Sequence, residues 1–277
     1  MKAGLAAGLG AWLCLCGLLL PPWARGQEAA PFFASLEPHK PLTFARSAFL
    51  QGEGAAQGYL NEELRFALSF KKELGGAVYF GYSQKAFWQI LDESHSRAFR
   101  TFEHNPEIFW QLDGLGALPR LRLGLWEHES NGEQTRTDAQ GKQVNLSRSW
   151  NRSYLLALAE VAPGWLAGGK VWVLLDRKET KGISYYQDNP DLKDYLGNGE
   201  LYLQWQGQAL SSNVLLRQGY RPQTTTGQVE LLFKLAPWWG GADGGVDLLL
   251  QAFSGYGDSL LDYNRRVDRL ALGVRFR

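Results

Sequence analysis

Three stretches of the chain alternate apolar and polar residues with a period of two, and in each the polar face carries charge. In LRFALSFKKEL (64–74), Leu64, Phe66, Leu68 and Phe70 share one face while Arg65, Ser69 and Lys71 share the other. ELYLQWQG (200–207) sets Leu201, Leu203 and Trp205 against Tyr202, Gln204 and Gln206. QVELLFKLA (228–236) sets Val229, Leu231, Phe233 and Leu235 against Glu230 and Lys234. Successive side chains of a β-strand point to opposite faces, so this period is that of strand and not of helix. A charged second face suits a hydrogen-bonded or water-filled barrel interior better than the packed core of a sandwich.

Further strands are expected at 76–90, 107–115, 119–130, 149–160, 169–177, 211–218, 245–255 and 267–276, about twelve in all. Turn signals separate them: Pro163-Gly164, Asn198-Gly199 and the glycine-rich run 240–245. Long polar connections at 132–147 and 178–195 alternate with short ones, the asymmetry of an outer-membrane barrel. The expected fold is therefore all-β, an antiparallel transmembrane β-barrel. The chain divides into a leader (1–26), an extension with the start of the first strand (27–60) and the barrel (61–277).

The leader, MKAGLAAGLGAWLCLCGLLLPPWARG, has a lysine, an apolar run too short to span a bilayer and a Pro-Pro breaker before small residues. It is read as a cleaved signal peptide, with the bond near Gln27. It contains both cysteines, so the remaining chain has no disulfide and no cysteine metal site. It also holds two of the 29 basic residues and no acid, leaving 27 basic against 28 acidic residues. Nothing in that balance points to nucleic acid. The 11 tryptophans and 11 tyrosines suit a membrane–water interface.

The stretch WEHESNGE (126–133) carries the candidate chemistry. On a strand, His128 and Ser130 share a face with Cα atoms roughly 6–7 Å apart, a reach at which imidazole can take the proton of a hydroxyl nucleophile. A third group must orient the imidazole, and Asn can do this as Asp does. By spacing alone the pair does not separate a hydrolase from a polar strand end, and no GxSxG elbow is present.

Four motifs in order carry more weight: HESNG, then SRSWNRSY (147–154), DNPDLKDYLG (188–197) and FSGYGDSLLDYN (253–264). From about Tyr79 to the C-terminus the chain resembles the bacterial outer-membrane phospholipase A family. The resemblance implies a twelve-stranded barrel that hydrolyses acyl esters of membrane glycerophospholipids, needs calcium and is active as a homodimer. It implies Ser130 as nucleophile, His128 as base and Asn151 as the residue orienting His128. The amide of Gly132 would stabilise the oxyanion. Calcium would be held by the main-chain carbonyl of Glu133, by Ser147 and by Ser96 of a partner subunit. Asp188 would belong to a second calcium site, and Gln84 to the dimer contact.

Two departures from the family pattern stand out: an acid at Glu133 where a basic residue is usual, and a longer loop over 134–146. The parity is also unexpected. Leu121, Leu123 and Leu125 are out of phase with His128 and Ser130, so either a bulge near Glu127 shifts the strand or the leucines pack inside. The competing functions are a non-enzymatic porin or structural barrel, and a lipopolysaccharide deacylase.

Overall fold

The computed structural model describes residues 36–51, 62–94, 96–116, 118–137, 140–175, 189–235 and 245–276. The leader 1–26 and Asp188 lie outside the described residues. The barrel belongs to one compact unit, Glu37–Arg277.

Twelve long strands among the described residues form one antiparallel sheet. They are β1 Leu42–Gln51, β2 Glu62–Gly75, β3 Val78–Trp88, β4 Phe99–Leu115, β5 Leu118–Ser130 and β6 Ser149–Ala162, followed by β7 Trp165–Leu174, β8 Gly199–Gln206, β9 Leu210–Gln218, β10 Thr225–Lys234, β11 Val246–Gly255 and β12 Val267–Phe276. Each pairs with the next, and β12 pairs back onto β1 from Phe276↔Leu42 to Asp268↔Gln51. The sheet thus has no open edge, as a bilayer requires, because no water is available there for unpaired backbone groups. A two-residue strand, Glu37–Pro38, pairs with Lys71 and Phe70 of β2 and leads the chain into β1.

The alternation is read inside out relative to a soluble protein. On β11, Leu248 and Leu250 are exposed while Asp247 is buried; on β12, Leu270 and Leu272 are exposed while Arg269 and Arg275 are buried. An apolar outer band of this extent is stable only against lipid. Inside, the charges pair: Glu127 with Lys170 (2.9 Å) and Arg152 (3.0 Å), Glu63 with Arg65 (2.5 Å) and Arg100 (3.0 Å), Glu230 with Arg275 (2.6 Å). Between these groups lie cavities of about 380 and 360 Å³.

The described parts of two motifs build a cap at the loop-rich end. The helix α1, Leu192–Leu196, sends Leu192 and Leu196 into a buried cluster with Trp150, Trp172, Leu260 and Tyr263. Tyr263 donates to Asp191, and Asn189 Oδ1 accepts the Ser149 amide at 2.9 Å.

The fourth strand is longer than the expected 107–115. Over 99–106 the outward positions include His104 and Pro106, so polarity on both faces conceals the period. The first strand falls within the stretch read as extension plus strand start.

Asp258, on the loop after β11, binds Arg65 at 2.6 Å and Arg269 at 2.9 Å. Burial alone would raise its carboxyl, but the guanidinium groups of Arg269 and Arg65 hold it well below the usual carboxylate range. A depressed carboxyl contributes stability above its unfolded value of about 3.9 and loses that contribution as pH falls toward its folded value. Asp258→Asn leaves two buried guanidinium groups undercompensated and should cost about 3–5 kcal/mol at pH 7. Urea titration in micelles should show the gap between variant and parent narrowing below about pH 4.

Candidate active site

Both neighbours of β5 change register at the same place. On the β4 side the pairing runs to Phe109↔Gly124 and resumes at Ile108↔Trp126; on the β6 side it runs to Gly124↔Tyr154 and resumes at Glu127↔Arg152. One residue, Leu125, is extra. Two consecutive side chains therefore face outward, Leu125 (49% exposed) and Trp126 (37%), and Glu127 (1%) returns to the interior. This bulge settles the parity: Leu123 and Leu125 face lipid, and His128 and Ser130 face the same way. Gly124 permits it, because a Cβ there would sit 2.1 Å from the Tyr154 ring that crosses over it.

Beyond the bulge, His128 lies opposite Asn151 and Ser130 opposite Ser149 on β6. His128 Nδ1 is 3.0 Å from Asn151 Oδ1, and the Trp126 indole N–H donates to the same oxygen at 3.2 Å. The indole can only donate, so the amide atom that meets it must be the oxygen. The oxygen in turn requires a proton on His128 Nδ1, which leaves the lone pair on Nε2. The Trp126 and His128 rings are parallel within 8°, with centroids 6.0 Å apart. Trp126, expected to be an interface anchor, therefore fixes both the amide and the imidazole plane. Nothing in its sequence neighbourhood signals that role, because the bulge creates it.

Asn131 organises the loop beyond the nucleophile position. Its amide donates to Arg148 O (3.0 Å), its Nδ2 to Leu146 O (2.8 Å), and its Oδ1 accepts the Arg148 amide (2.9 Å). These bonds clamp 146–148, the segment that carries Ser147, against Asn131 at the start of the loop. Gly132 has φ 62°, a left-handed conformation that glycine adopts without strain. The extra length at 134–146 closes on itself through Arg136↔Val144 and Thr137↔Gln143. The Glu133 carboxylate is engaged by Arg136 at 2.8 Å.

The other candidate residues lie on neighbouring elements. Gln84 is half-buried on the outer face of β3, paired with Leu68 and His104. His104 in turn pairs with Ser130 and has its Nδ1 2.8 Å from the Tyr82 hydroxyl. His104 carries no signal in the sequence, because its position becomes meaningful only with the β4–β5 register. Ser96 is exposed in the loop between β3 and β4, with φ 58°. No group of three or more His, Cys, Asp or Glu side chains among the described residues is placed to hold a metal.

The model of one family, phospholipase A1, matches residues 43–276. The chain belongs to the phospholipase A1 family. A provisionally named phospholipase A1 of Neisseria meningitidis serogroup B is 34% identical over 77% of the chain and 54% of its own length. The phospholipase A1 of Escherichia coli K12 is 30% identical over 79% of the chain and 71% of its own. The chain thus spans about half the length of the first of these relatives. The solved dimer of Salmonella typhi outer membrane phospholipase with bound calcium superposes with a TM-score of 0.71 at 25% identity, covering 91% of this chain and 94% of that one. Phospholipase A1 is an enzyme family, and the shared barrel places the chain in the bacterial outer membrane.

If Trp126 and Asn151 set the imidazole as described, His128 is an Nδ1–H tautomer. ¹⁵N spectra of histidine-labelled protein in micelles, with only four histidines to assign, should show this form. Asn151→Ala and Trp126→Phe should each raise the Nε2–H form.

Proposed function

We propose that the chain is a calcium-dependent outer-membrane phospholipase that hydrolyses acyl ester bonds of glycerophospholipids, of the A1/A2 and lysophospholipase type. The observation that carries the reading is the His128–Asn151 hydrogen bond of 3.0 Å, two residues along β5 from Ser130 and on the same lipid-facing wall. A hydrolase acting on membrane lipid needs its nucleophile there and not in the lumen. The ion-paired interior favours this reading over a porin.

In the proposed reaction Ser130 Oγ attacks the ester carbonyl and its proton passes to His128 Nε2. Asn151 Oδ1 holds the Nδ1–H throughout, so the imidazolium forms without rotating. His128 then protonates the leaving lysophospholipid oxygen, and an acyl group remains on Ser130. Water, deprotonated by His128, releases the fatty acid and restores the hydroxyl. The Gly132 amide is the backbone donor for the oxyanion.

The residues at the loop base fit calcium. The Asn131 clamp ties together the two segments that carry the Glu133 carbonyl and the Ser147 hydroxyl, hard oxygen donors of the kind calcium takes. Arg136 engages the Glu133 carboxylate, which leaves the main-chain carbonyl as the ligand in this reading. When bound there, calcium would supply positive charge to the developing oxyanion. Two such ligands would leave a calcium shell open, in keeping with the partner subunit's Ser96 as a third ligand and with a homodimer as the active form. The bound calcium and dimeric state of the Salmonella typhi relative support the same reading. Gln84, polar on the outer face of β3, would lie in the dimer contact, and Asp188 would serve a second calcium site.

The test is fatty acid release from phospholipid micelles by refolded protein, first with calcium and then with excess chelator. Release should require calcium, and Ser130→Ala should lower it by on the order of 10⁴-fold or more while the barrel stays folded. Calcium-dependent release that survives in Ser130→Ala removes the assignment.

A further inference from the structure

Strand β4 places a proline in mid-strand, where a closed ladder tolerates it least. The pairs His104↔Ser130 and Glu107↔Glu127 set the register on either side, and between them Pro106 falls opposite His128. Pro106 has no N–H to offer the β5 backbone. Asn105 supplies one from its side chain: Nδ2 donates to the His128 carbonyl at 2.8 Å and lies 3.4 Å from Glu127 Oε1. Asn105 is buried (8% exposed) and points into the barrel, so it reaches the backbone of His128 from the side opposite the lipid.

The orientation of that amide is itself fixed. Lys40 Nζ donates to Asn105 Oδ1 at 2.7 Å. An ammonium group has no acceptor capacity, so its partner must be the oxygen, and Nδ2 is left facing the His128 carbonyl. Lys40 is held in turn by the segment before β1. The side chain of its neighbour His39 is fully buried, with Nε2 2.6 Å from Glu107 Oε1 and the ring stacked on Phe109 at 5.1 Å. Gly81 makes the room, since a Cβ there would stand 3.0 Å from His39 Nε2.

We propose that Asn105 is a positioning residue for His128, replacing the backbone donor that Pro106 lacks, and that Lys40 keys it from inside the barrel. The inference rests on the reading of His128 as the general base. His128 lies just beyond the Glu107↔Glu127 pair, opposite Pro106, where the ladder to β4 lacks its backbone donor, so the main-chain height of its imidazole depends on this side-chain bond. A displacement of about 1 Å in a reacting group can cost on the order of 10²-fold in rate.

The experiment compares Asn105→Ala, Asn105→Leu, Pro106→Ala and the Asn105→Ala/Pro106→Ala double variant with the parent. It measures kcat and KM for micellar phospholipid per folded molecule, with heat-modifiable gel migration counting the folded fraction. Asn105→Ala should lower kcat by about tenfold to a hundredfold with KM within about twofold. Asn105→Leu keeps the volume without the donor and should do the same if the alanine variant folds poorly. Pro106→Ala alone should be close to the parent, because either donor suffices. The double variant regains a backbone N–H and should recover most of the lost kcat, which a general loss of stability would not do. Lys40→Met frees the amide to flip and should fall between parent and Asn105→Ala. Parental kcat in both Asn105 variants, or a loss that Pro106→Ala does not restore, overturns the proposal. Ser130→Ala run alongside separates the two readings: if it retains activity the assignment of the site fails, and if it alone is inactive the role of Asn105 fails.

Discussion

The structure depends on closure of the ladder between β12 and β1. In hydrocarbon an unpaired N–H or C=O costs several kcal/mol, and only a sheet without edges avoids that cost along its whole length. Closure fixes which face meets lipid, and the charges that cannot face lipid must pair within the lumen. The pairs Glu127 with Lys170 and Arg152, and Asp258 with Arg65 and Arg269, follow from that constraint. Such pairs give modest stability relative to an apolar filling, but each becomes costly to break once formed.

Within a closed ladder, one inserted residue is the cheapest way to turn a side chain to the other face. Leu125 does this for the rest of β5, and the same insertion delivers Trp126 to the side of His128. The partner of His128 on this wall is an amide and not a carboxylate. A carboxylate facing lipid would need its own compensating charge, whereas Asn151 orients the imidazole through a neutral oxygen shared with an indole N–H.

Much of this was legible in the chain. The alternation in 64–74, 200–207 and 228–236 specified strands and an inverted barrel, because period and charge are local properties. The motifs around His128, Ser130 and Asn151 gave the candidate residues through resemblance, and the structure brings His128 and Asn151 within hydrogen-bond distance. The bulge was open to two readings, since apolar residues at 121, 123, 125 and 126 fit either phase. The roles of Trp126, Asn131 and Asn105 were not legible at all. Each depends on which backbone group a distant strand or loop presents, and no local pattern encodes that.

The ion pair between Arg65 and Asp258 joins residues 193 positions apart. During assembly Arg65 is laid down early, and its anionic partner arrives only with the hairpin that carries the final strand. The Asp258 share of the charge on Arg65 and Arg269 is therefore supplied only when the chain is nearly complete, and that neutralisation coincides with sealing of the cylinder. Contacts of such long range are slow to form. The same charges that stabilise the finished barrel make its partly built forms unsuited to dry lipid, so insertion and closure are coupled into one late, cooperative event.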